Sequence, residues 1–306
     1  MRIEHTHIDI NTPAIFSIED DYDLSGKSIR HLNLIMNVIM HRNRNLHFLK
    51  KMGIENNSWV IDSARGCDVE SYNEEFKLTL TNQNYKDVLI RLIHKSRFGR
   101  EKILEETIVA LIEHKSIFFN NKIIKNTCFC KKLNTYPYSE IYIETFSDDK
   151  NNCLYFFHEI GHAILNLYCA KKGLIADREY EEFFANLFGY CAMLDLNLYS
   201  IGECMDRIIQ KINYHIVETE YLDELYSNPY KYLTWKKKKR LFKRIADNKG
   251  IFYPEEIENQ IISNEDFFKY PLDSFYSISG LIRIVSNGMI GNRYLSLEGV
   301  IDSDVN

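Results

Sequence analysis

The stretch Tyr155–Tyr168, YFFHEIGHAILNLY, sets two histidines four residues apart, with a glutamate beside the first, in an otherwise apolar run. A segment of that length and composition is expected to be a helix directed into a core. On a helix, residues four apart differ by about 40° in azimuth and one turn in height, so His158 and His162 project toward a common point. Two imidazoles so placed can bind one metal ion. Glu159, about 100° round, lies beside that point. A carboxylate buried in YFFHEIGHAIL would be unfavourable without a partner, and a water on the metal supplies one. Gly161, in mid-helix, costs about 1 kcal/mol against alanine and so points to a close backbone approach.

This division of labour is that of H-E-x-x-H zinc hydrolases, with His158 and His162 as Zn2+ ligands and Glu159 as general base. A catalytic zinc also needs a third protein ligand and an open position. Continuation as a metzincin would require glycine at Leu165 and histidine at Tyr168, so that pattern fails. The segment Glu181–Gly189, EEFFANLFG, places Glu182, Ala185, Asn186 and Gly189 on one helical face. Glu182 can ligate, two small residues permit close helix packing, and Asn186 could orient a histidine through its second nitrogen. Glu181 points about 100° away. For the oxyanion, His215 and Tyr214 are candidates by residue type, with plain core or surface placement as the alternative.

HEIGH followed by EFFAN resembles the gluzincin arrangement, and Leu154–Leu194 is most similar to the ImmA/IrrE type of soluble intracellular metallopeptidases. The resemblance implies zinc ligands His158, His162 and Glu182, general base Glu159, and a sheet edge in EIYIETF along which an extended peptide would lie. In that family the motif usually follows a short N-terminal segment, whereas a long one precedes it here. Cleavage of a transcriptional repressor, the role known for the family, therefore transfers poorly, and an exported peptidase is equally open.

The remaining pattern is mixed, with helix predominating. Helices are expected over Ser28–Gly53, Arg100–Ser116, Asp149–Ala170, from Asp177 through Leu194, in Met205–Glu218 and in Thr234–Gly250. Asn121–Lys132 and Tyr138–Ser147, separated by LNTYP, read as a hairpin. Asn287-Gly288 between apolar runs signals a second hairpin near the C-terminus. The expectation is an α+β fold with a helix-rich, zincin-like core and a small mixed sheet over the HExxH helix. Soft boundaries give a mainly helical region over 1–116, a catalytic core over 117–200, and a helical region over 201–306 ending in the hairpin.

The 306 residues, 45% hydrophobic, suffice for one large domain or two modest ones. A net charge of -5 provides no general basic field for nucleic acid. Lys236–Arg240 offers at most a weak contact with an acidic surface and is otherwise a solvated helix face. Without a secretory h-region or a long apolar span, the chain is expected to be cytoplasmic or exported by a non-Sec route. Seven scattered cysteines favour reduced thiols. Asp20–Ser28 fails both the EF-hand and P-loop patterns. Cys128 with Cys130, and His5 with His7, lack a second pair at zinc spacing, and Cys67 is a candidate latency thiol. The function expected is zinc-dependent hydrolysis of a peptide bond in a protein or peptide substrate. The alternatives are a silent scaffold that binds a partner protein and a zinc hydrolase of a non-peptide bond.

Overall fold

The computed structural model describes residues 80–99, 101–119, 128–143, 149–227, 229–263, 271–291 and 295–302. The helix expected over Ser28–Gly53, the histidines at His5 and His7, Asp20–Ser28 and Cys67 lie outside them. The chain divides into two units, Gly53–Ile212 with Tyr276–Asn306, and Met1–Met52 with Asn213–Phe275. No helix among the described residues is long and apolar enough to cross a membrane.

The first unit contains helices α1 (Tyr85–Lys95) and α2 (Lys102–Glu113), strands β1 (Ile117–Phe119), β2 (Phe129–Lys132) and β3 (Ser139–Ile143), then α3 (Asp149–Lys172) and α4 (Arg178–Asp195). It continues into the start of α5 (Ile201–Ser227). The sheet is mixed, in the order β1-β3-β2, with β1 parallel and β2 antiparallel to β3. Along β3, Ser139, Ile141 and Ile143 are buried while Glu140 and Tyr142 are partly exposed, the alternation of a strand with one core face. Tyr142 stacks between Phe118 and Phe129 on the other face, at ring separations of 5.0 and 4.7 Å. On the inner face Asn166 of α3 donates to the Ser139 hydroxyl at 3.0 Å, joining the sheet to the helix beneath it.

Two expectations are corrected. The strand in EIYIETF is the centre of the sheet, because the short β1 pairs with it on the side away from β2. The edges are β1 and β2. Near the C-terminus the described residues form no hairpin; Pro271–Ser286 is a helix, α8, followed by a 3-10 turn and the short α9 (Leu297–Asp302). Ile278, Leu281, Ile282 and Val285 are buried at helical spacing, which overrides the turn signal. Asn287 donates its amide to the Arg283 carbonyl at 3.0 Å, and Gly288, at φ +61, takes up the left-handed conformation at the helix end.

The core of this unit is the contact between α3 and α4. Helix α3 is buried on nearly every side, which explains its weak amphipathicity in sequence. Asp177 caps α4, its carboxylate accepting from the Tyr180 amide at 2.7 Å. Gly161 lies directly on α4: a Cβ there would stand 2.8 Å from the Ala185 Cα and 3.2 Å from the Phe188 Cβ. Reciprocally, a Cβ on Gly189 would stand 3.2 Å from the His158 nitrogen. The half-buried Arg97–Asp195 pair, 2.9 Å apart, ties the end of α4 to the turn after α1.

In the second unit the later part of α5 packs with α6 (Trp235–Asn248) and α7 (Glu255–Ser263) around Val217, Tyr221, Leu241, Phe242 and Ile245. Thr234 caps α6, its hydroxyl accepting from the Lys237 amide at 3.4 Å. Within Lys236–Arg240, Lys239 pairs with Glu255 at 3.0 Å, and Lys236, Lys237 and Arg240 are exposed.

The packing at Gly161 predicts the sign of a substitution. Gly161→Ala would stabilise an isolated helix by about 1 kcal/mol. Here the added methyl meets backbone at 2.8 Å, so we expect a net loss of about 1–3 kcal/mol in urea unfolding. A gain in stability would show that the two backbones are not in contact.

Candidate metal centre

Helix α3 presents His158 and His162 one turn apart, their Nε2 atoms separated by 3.1 Å. Helix α4 brings the Glu182 carboxylate between them, with Oε2 3.4 Å from His158 Nε2 and Oε1 3.6 Å from His162 Nε2. Ligands about 2.1 Å from a tetrahedral zinc stand about 3.4 Å from one another. The imidazole pair stands near that value, each carboxylate oxygen stands near it from one imidazole, and one ligand atom from each of the three residues lies within 4.8 Å of the others, so the group could hold one metal ion. Among the described residues this is the one group of three or more such side chains that could hold a metal.

The protonation states suit a cation. Burial, then the neighbouring His158, pushes His162 down to about 3, so its ring is neutral and offers a lone pair. For Glu182 burial acts upward, but the hydrogen bond with His158, the two histidines and Arg178 outweigh it and hold the carboxyl near 2. Glu182 thus offers a negative charge and His162 a neutral nitrogen, donor types that suit zinc. The His158 side chain is 17% exposed against 10% for His162, so the site opens toward His158.

Glu159 is buried beside this cluster. Burial raises its pKa to about 6, with His158 and the Cys130 backbone opposing and the Glu182 charge adding. The residue that brings Cys130 there is Asn166, one turn beyond His162, which also approaches the Cys130 sulfur at 3.9 Å. Cys130 itself is pushed up to about 12 by burial and then by Glu159, so it remains a thiol. Neither it nor Cys128 joins the cluster.

Other expected site residues fall elsewhere. The Asn186 amide donates to the Glu182 carbonyl at 2.7 Å and to the Ser277 hydroxyl at 3.1 Å, so it braces the helix turn that carries Glu182 and does not reach a histidine. The back-bond to a residue four earlier captures the amide before a ring nitrogen can. His215 and Tyr214 belong to the second unit. There His215 is buried, 4.0 Å from Glu218, with its pKa lowered by burial to about 4, and Tyr214 stacks on Tyr253 at 4.4 Å.

One contributor escaped the sequence reading. Arg178 forks the two adjacent glutamates, 3.1 Å from Glu182 Oε1 and 3.3 Å from Glu181 Oε2. It fixes the rotamer that turns Oε2 toward His158. Its position four residues before Glu182 was the available signal.

No family model and no curated protein matches this chain. Among solved structures, it is similar to a chain from Bacillus anthracis str. Ames whose crystal structure carries the provisional assignment oligoendopeptidase F, at 12% identity and a TM-score of 0.48. The alignment covers 88% of this chain and 51% of the other, so this chain spans about half that protein's length. At that similarity nothing about chemistry transfers, and the site stands on its own geometry.

The ligand assignment predicts a stoichiometry of about one zinc per chain. We expect His158→Ala, His162→Ala and Glu182→Ala each to lose tight binding in a competitive chelator titration, and Glu181→Ala to retain it. Retention in Glu182→Ala would exclude that carboxylate as a ligand.

Proposed function

We propose that this protein is a zinc-dependent endopeptidase of gluzincin type, with His158, His162 and Glu182 holding the ion and Glu159 acting as general base. The observation that carries the reading is the convergence of two imidazoles from α3 and one carboxylate from α4, with one ligand atom of each within 4.8 Å of the others. The likeness of Leu154–Leu194 to ImmA/IrrE peptidases leads to the same assignment.

Zinc at this position would polarise a scissile carbonyl and lower the pKa of a water. Glu159 takes a proton from the attacking water and passes it to the leaving amine. Its buried setting suits that role, since a carboxyl raised to about 6 is a stronger base than a solvated one and still ionises near neutrality. Asn166 ties both β2, through Cys130, and β3, through Ser139, to the same helix. An extended substrate would add along β2, the sheet edge whose Cys130 neighbours Glu159, where main-chain hydrogen bonds can hold a peptide with little dependence on sequence.

A silent scaffold has no need of a base beside the metal, so the presence of Glu159 favours catalysis. The test is hydrolysis of a peptide library by the zinc-loaded chain. We expect Glu159→Gln to keep about one zinc and to lose on the order of 10²–10⁴-fold in kcat. Full activity in that variant would remove the mechanism. Peptide binding without cleavage by the unaltered chain would favour the scaffold.

A further inference from the structure

Lys211, in the part of α5 that belongs to the first unit, holds its ammonium 5.6 Å from the ring centroid of Tyr155. Tyr155 is one turn ahead of Glu159 and two turns ahead of His162, so it stands on the face of α3 that carries the metal centre. It is 38% exposed, which leaves this side of the site reachable from solvent.

The other cations on this side have polar partners. Lys150 pairs with Glu203 at 3.0 Å, and Arg207 donates to Asn151 while lying 4.8 Å over the Tyr199 ring. Lys211 is different. It is half-buried, and among the described residues its ammonium meets the Tyr155 ring and no carboxylate within 4.0 Å. Burial and then Arg207 disfavour its charge, bringing its pKa to about 8, with only the more distant Glu182 acting the other way. Withdrawing an ammonium from water without a counter-ion is unfavourable, and a π face offsets only part of that. An anionic ligand would complete the site.

We propose that Lys211 is a specificity residue that pairs with a carboxylate of the substrate near the bond to be cleaved. Tyr155 stands one turn ahead of Glu159, the ammonium lies 5.6 Å from its ring centroid, and the Glu182 carboxylate acts on the charge of Lys211, so an extended peptide held at the metal centre would pass close to this cation. The carboxylate is either an acidic side chain or the free end of the peptide. This inference rests on the peptidase reading above.

The test uses the zinc-loaded full chain and peptides identical except for Glu against Gln at successive positions, or a free acid against an amide at the C-terminus. Each pair is measured as kcat/KM, and as the dissociation constant by fluorescence anisotropy in Glu159→Gln. We expect one pair to favour the carboxylate on the order of 10–100-fold, the ratio to collapse in Lys211→Met, and most of it to survive in Lys211→Arg. Zinc content and thermal unfolding of both variants check that the fold is intact. A response in the Glu/Gln pairs assigns a side chain, and one in the acid/amide pair assigns the chain terminus. No carboxylate preference in the unaltered chain, or the same preference in Lys211→Met, overturns the proposal. Absence of cleavage of every peptide instead overturns the peptidase reading, while the anisotropy ratios still judge Lys211.

Discussion

The contact between the backbones of α3 and α4 is what the rest of the site depends on. Glycine in mid-helix is unfavourable by about 1 kcal/mol, and α3 and α4 each carry one where they meet, Gly161 and Gly189. What the small residues permit is proximity. With Gly161 seated on Ala185 and Gly189 on His158, a side chain as short as glutamate spans from α4 to two imidazoles on α3. A larger residue at either position would move Glu182 by a substantial part of a bond length, enough to break a coordination sphere whose ligands must stand about 2.1 Å from the ion.

Burial then sets the chemistry of the groups gathered there. The same desolvation makes His162 neutral, Glu159 more basic and Cys130 inert, while Glu182 remains ionised because histidines and Arg178 surround it. One environment thus separates the Glu182 carboxyl, held near 2, from the Glu159 carboxyl, raised to about 6, the division the proposed roles of ligand and base call for. Lys211 extends this pattern outward, as a cation with an aromatic neighbour and, among the described residues, no carboxylate within ion-pair distance.

Much of the architecture could be read from local pattern. The Asp149–Ala170 expectation meets a helix at Asp149–Lys172, the Asp177 cap is in place, and β2 and β3 pair as the hairpin around LNTYP. Misreadings came where a local signal was ambiguous without its surroundings. Asn287-Gly288 suits a hairpin turn and a helix end equally, and burial of Ile278 and Leu281 at helical spacing decided between them. The three residues of β1 are too few to carry a periodicity, so the central place of β3 could not be seen. Asn186 offered an amide of the right reach, but the carbonyl four residues earlier was nearer than any ring.

By itself, the sequence determined that two imidazoles and a carboxylate share one stretch of a buried helix, because residue spacing alone sets azimuth and rise along a helix. It also determined that a second helix carries a carboxylate and small residues on one face. Only the tertiary structure decided that this carboxylate meets those imidazoles, that Arg178 turns it toward them, which strand forms the edge, and that Lys211 stands beside Tyr155. Those relations join elements distant along the chain, and their distances follow from how the intervening side chains pack, which no spacing within a single element encodes.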